Sequence, residues 1–98
     1  MRLVITDTAK AEITRQLAYL RERNPAAARI QRERISTAGR NLRQTPMIGR
    51  PGHVPGTREL VISGTPFLFV YTVSKDTITI LHVYHGRQNW RHNPTDDE

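Results

Sequence analysis

Two short segments hold the side chains best equipped for chemistry. The first is Arg58-Glu59, beside a stretch rich in Gly and Pro; the second is Tyr84-His85-Gly86-Arg87-Gln88-Asn89-Trp90. An arginine fork can grip a phosphate or a carboxylate through two parallel hydrogen bonds. Histidine titrates near neutrality, and His85, at a strand end beside a glycine, reaches solvent where it could carry a proton. Arg87, Gln88, Asn89 and Trp90 join a cation, two amides and an aromatic ring, which suits stacking on a base or docking into a protein pocket. Plainer readings stand beside these. Arg58 and Glu59 read equally as a cross-strand ion pair on an exposed face, worth under about 1 kcal/mol. Trp90 reads equally as a cap that folds back onto a sheet. His82, on the parity of Ile78, Ile80 and Tyr84, reads as a packed strand residue bonded to backbone. His53 reads as a solvated loop residue, and His92 belongs to a polar tail. The four histidines do not fall at ligand spacing with acids, so no metal and no cofactor are expected. With no cysteine, thiolate chemistry and disulfides are excluded.

The elements that must position these residues follow from periodicity. Arg2–Thr6 alternates as a short first strand. Asp7 or Thr8 then reads as an N-cap, and Ala9, Ile13, Leu17 and Leu20 recur at helical spacing to about Arg23. Asn24-Pro25 stops that helix and starts another, with Asn24 as cap and Pro25 in the first turn. Ala28, Ile35, Ala38 and Leu42 form the stripe of the second helix, which runs to roughly Arg43, while Ile30 lies off it. Gln44–Gly56 reads as loop, punctuated by Pro46, Gly49, Pro51, Gly52, Pro55 and Gly56. Three strands follow at Thr57–Ser63, Phe67–Val73 and Thr77–Tyr84, joined by tight turns as an antiparallel meander. The expected class is α+β: a strand, a helical hairpin and a three-stranded meander (β-α-α-β-β-β), with the first strand at a sheet edge and one sheet face open to a partner. Residues 1–90 are expected to form one domain and residues 91–98 a polar tail.

Charge narrows the partners. The 98 residues hold fifteen Lys and Arg against nine Asp and Glu, a net +6, and all but Lys10 and Lys75 of the cations are arginine. Three of the acids are the terminal Asp96, Asp97 and Glu98, which leaves the body before them at +9. A polyanionic partner is implied: nucleic acid, an acidic protein, or both. A generic Arg-rich surface is the plainer reading. No run approaches 18 apolar residues, which excludes a membrane-spanning helix, and Met1–Thr6 lacks the apolar core of an export signal. A cytoplasmic location is expected.

The segment GRPGHVPGTREL (Gly49–Leu60), with its G-x-REL-V core at Gly56–Val61, is followed by Pro66 and the Val70-Tyr71-x-Val73 strand and then by ILHVYHGRQNW (Ile80–Trp90). In this order, after a strand and a helical hairpin, the chain resembles the RelE/ParE superfamily of bacterial type II toxins over nearly its whole length. The resemblance implies a growth-inhibiting toxin, held inactive by a cognate antitoxin in a toxin–antitoxin hetero-oligomer.

The superfamily divides into two branches. RelE-like members are ribosome-dependent endoribonucleases, whose reaction needs the 2′-OH deprotonated, the phosphorane charge stabilised and the leaving oxygen protonated. Their cations stand on the second and third strands, where this chain places Glu59, Val61 and Leu68; Arg87 alone fits, and Trp90 is nearest to their C-terminal tyrosine. A second nuclease variant, with a Glu and a His-Tyr pair, would use Glu59, Tyr84 and His85, with Arg58 or Arg87 gripping phosphate. ParE-like members poison DNA gyrase and lack the nuclease set, in better agreement with Glu59, Val61 and Leu68. The expectation is therefore a ParE-like inhibitor of gyrase that binds through Arg58, Glu59, Tyr84, Arg87, Gln88 and Trp90. The alternative is a nuclease acting on ribosome-bound mRNA with Arg58, His85 and Arg87 as its catalytic set. A non-toxic basic nucleic-acid-binding module is the further alternative, marked by steep salt dependence.

Overall fold

A computed structural model describes residues 1–86; Arg87, Gln88, Trp90 and the tail lie outside the described residues. The elements are β1 (Arg2–Ile5), α1 (Asp7–Arg23), α2 (Pro25–Gln44), β2 (Arg50–Pro51), β3 (Arg58–Val61), β4 (Phe67–Ser74) and β5 (Thr77–His85). The cap of α1 is Thr6, not Asp7 or Thr8. Its hydroxyl accepts the Ala9 N–H at 3.1 Å and donates to Leu81 O at 3.2 Å, so the cap also ties the helix start to β5. Asn24 serves both helices. Its N–H closes α1 on Leu20 O, and its side chain accepts the Ala27 N–H at the start of α2.

The five strands form one mixed sheet in the order β1-β5-β4-β3-β2. β1 lies at the edge, parallel to β5, and the other pairs are antiparallel. The meander expected from the sequence is present, extended on one side by β1 and on the other by β2, inside the Gln44–Gly56 segment expected as loop. Only two residues long and made of Arg50-Pro51, β2 carries no periodicity to read. The helical hairpin covers one sheet face. Phe69, Tyr71, Ile78, Ile80 and Val83 meet Ala9, Leu17 and Leu42 there in the core.

A bulge changes which residues face that core. Tyr71 pairs with Ile80 but Val70 pairs with His82, so Leu81 is the extra residue of β5. Ile78, Ile80 and Val83 therefore share the helix side, and His82 and Tyr84 turn to the opposite face with Leu68 and Val70. The parity that grouped His82 with Ile78 and Ile80 fails at this point. Beyond Ile5, where β1 ends, polar residues of α1 take over the edge of β5: Glu12 accepts the Val83 N–H and Gln16 donates to Val83 O, both at 3.0 Å.

Candidate functional site

Arg58 and Glu59 begin β3, and the strand's alternation sends them to opposite sides. Glu59 is not on an exposed face: it is 2% exposed, beneath the Arg50–Thr57 segment. Oε1 accepts from Nε and Nη2 of Arg50 at 3.2 and 3.1 Å, and Oε2 accepts the His53 N–H at 3.0 Å. A buried carboxylate thus pins β2 and the loop after it. Arg58 also works on this loop, donating Nη1 to Gly49 O at 2.7 Å and to Met47 O at 3.3 Å. Tyr71 completes the clasp from below, donating to Pro46 O at 2.8 Å and accepting the Gly49 N–H at 2.9 Å.

Burial pushes the Tyr71 phenol above its ordinary value of 10.0, against the pull of the Gly49 N–H and the Arg58 charge. The folded state then keeps a proton that the unfolded chain has lost. Stability contributed by Tyr71 is intact below about pH 10 and declines as pH rises above it. Urea unfolding at roughly pH 8 and pH 10.5 should show this loss, and Tyr71→Phe should reduce it. The same variant should cost about 1–3 kcal/mol at neutral pH, because it strands two backbone groups.

The sheet face away from the helices is apolar where a nuclease needs cations. Val61 lies opposite Leu68 across β3 and β4, next to Val70. Beside them the rings of His82 and Tyr84 stack at 4.8 Å with 15° between planes. His82 Nδ1 lies 3.3 Å from Glu12 Oε2, so its partner is a helix carboxylate, not the backbone. Burial, aided by the Glu12 charge, raises the Tyr84 phenol above its ordinary value. The bulge hid this Glu12–His82–Tyr84 cluster from sequence reading.

His85 stands edge-on to Phe67, ring centroids 5.8 Å apart, and lines a cavity of about 320 Å³ with Arg15, Gln16 and Tyr19. It pairs with Phe67, whereas Arg58 pairs with Tyr71, four residues further along β4. That offset is about 13 Å. The structure does not bring Arg58 and His85 together, and Tyr84 faces away from both. Among the described residues, no group of three His, Asp or Glu could hold a metal ion. None of the described helices is long and apolar enough to cross a membrane.

A larger groove, about 500 Å³, opens between α1 and α2 above Leu3, Ile5, Phe69 and Ile80. Arg21, Arg32, Arg40 and Arg43 stand along it. The gap between the helices makes these arginines the border of an apolar trough.

Residues 3–90 match the family model described as the ParE toxin of the type II toxin–antitoxin system parDE. Over 73 residues the chain is 41% identical to the curated protein named "Putative toxin Y4kP" from Sinorhizobium fredii, an alignment spanning 74% of this chain and 75% of that one. A solved structure described as the chromosomal ParDE TA system from P. aeruginosa matches with a TM-score of 0.78 and 27% identity, covering 87% of this chain and 95% of that chain. The helical hairpin on a mixed sheet and the match across residues 3–90 place it: the chain belongs to the ParE toxin family of type II toxin–antitoxin systems.

Proposed function

We propose that this chain arrests growth by binding DNA gyrase in the cytoplasm, without chemistry of its own, and that a cognate antitoxin neutralises it. The observation that carries this reading is the composition of the sheet face away from the helices. Val61 and Leu68 stand where ribosome-dependent nucleases carry cations, and Glu59 is buried against Arg50, unable to meet a substrate. With Leu68 buried and Val61 exposed, that face offers a phosphorane little charge stabilisation. The arginine-bordered groove between the helices supports an antitoxin segment that is amphipathic and acidic.

Induction in cells lacking antitoxin tests the reading, with DNA-damage signalling and the ends of ribosome-bound mRNA followed together. The expected result is growth arrest with damage signalling and intact mRNA. His85→Ala should arrest growth as the wild type does. Cut mRNA without damage signalling, abolished in His85→Ala, would replace this reading with the nuclease.

A further inference from the structure

The helix α2 carries Arg29, Arg32, Arg34, Arg40 and Arg43, and four of the five fall in one line. At about 100° per residue, Arg29, Arg32, Arg40 and Arg43 share an arc of about 80°, with Ser36 between Arg32 and Arg40. The row is about 21 Å long. Arg34 leaves it and reaches toward Gly64, where a side-chain carbon would stand 2.6 Å from its guanidinium. All four arginines of the row are exposed, and among the described residues no acid is ion-paired with any of them. Like charges three residues apart oppose helix formation, and Arg29–Arg32 and Arg40–Arg43 are two such pairs. The row therefore works against α2 in the unbound chain, and a bound polyanion would reverse the effect.

The C-terminal end of the row is already arranged for an anion. Arg40 donates Nη2 to Thr37 Oγ1 at 3.0 Å, and Arg43 donates Nε to Met1 O at 3.0 Å. Each bond uses one of the guanidinium's N–H donors, steadies the group and leaves its other donors for a ligand. Together with Met1 and Gln44, the two arginines line a notch of about 300 Å³, which has room for a phosphate group.

We propose that the arginine row of α2 binds the backbone of duplex DNA, without regard to sequence. Duplex DNA carries one negative charge per roughly 1.7 Å of its axis, so each arginine along the row meets a phosphate. The guanidinium fork grips phosphate oxygens through paired, charge-assisted hydrogen bonds. The row itself holds no aromatic ring and no carboxamide, so nothing in it stacks on an unpaired base or reads a base edge. That selects the duplex backbone over a single strand. Arg32, Arg40 and Arg43 also border the groove between the helices, so a segment lying in that groove and a DNA duplex exclude one another. The inference goes beyond the gyrase reading and stands or falls separately from it.

Fluorescence anisotropy of a labelled mixed-sequence duplex, titrated with the purified full chain, tests this. Four phosphate contacts give a slope of about −3.6 in log K against log salt, so doubling the salt should weaken binding about tenfold. Arg40→Gln combined with Arg43→Gln should bring the slope to about −1.8 and weaken binding by about tenfold or more at about 0.1 M salt. Arg15→Gln combined with Arg34→Gln removes the same charge from outside the row and should bind nearly as the wild type does. Equal weakening in the two double variants would overturn the proposal in favour of a generic basic surface. Tighter binding to a single-stranded RNA of the same length would overturn it in favour of RNA. A wild-type slope near zero would overturn it as well, and that readout stands even if the Arg40 and Arg43 variant fails to fold. Supercoiling inhibited by a chain that does not bind the duplex would overturn this proposal and leave the gyrase reading in place.

Discussion

Arg50→Ala should lower the unfolding free energy by about 3 kcal/mol, near the low end of the cost of breaking a buried ion pair. Glu59 keeps its burial in that variant but loses the guanidinium that supplies two of its hydrogen bonds. The low end applies because the Arg50 side chain is itself 59% exposed, so water can enter where it stood. The asymmetry is the sharper expectation. Glu59→Gln on its own leaves Arg50 in solvent and an amide that can still accept the His53 N–H, at a cost of about 1 kcal/mol. Combining the two substitutions should recover stability relative to Arg50→Ala, because a neutral amide does not need the charge. Urea unfolding of the three variants reads this directly, and a double variant no more stable than Arg50→Ala would show that buried charge is not the cause.

Gly49→Ala should cost as much, about 3 kcal/mol, by adding an overpacking penalty to a lost hydrogen bond. A Cβ at this position would stand 2.6 Å from the Tyr71 hydroxyl and 2.8 Å from Glu59 O. The second neighbour is backbone of β3 and cannot rotate away, so either the loop lifts or the sheet distorts. Lifting the loop breaks the Gly49 N–H to Tyr71 bond and loosens the grip of Arg58 on Gly49 O. Tyr71→Phe in the same chain should relieve part of the clash, giving a double variant less destabilised than the sum of the singles. Additive losses in thermal or urea unfolding would mean that the hydroxyl is not the obstacle.

These two residues show where the sequence was legible and where it was not. Helical stripes such as Ala9, Ile13 and Leu17, the Asn24-Pro25 boundary and the alternation of Thr57–Ser63 are local signals, and each element they implied is present. β1 at the sheet edge also agrees with its pairing to β5. What local pattern could not reach were contacts set at a distance. Glu59 sits in an alternating strand like any solvent-facing acid, yet it is buried, with β2, two residues without a pattern, paired beside it. His82 counted as a neighbour of Ile78 and Ile80 until the extra residue at Leu81 turned it to the other face. Arg58 and His85 each look suited to phosphate chemistry, yet the register of β4 sets them four residues apart. Among the candidate residues, Arg58 and Glu59 converge on one loop, while His85 belongs to the cavity beside Phe67.

Action on gyrase is tested most directly by supercoiling of relaxed plasmid with purified gyrase and the purified full chain. The chain should inhibit supercoiling, and added cognate antitoxin should restore it. Unchanged supercoiling, from a preparation that cuts mRNA on ribosomes, would contradict it.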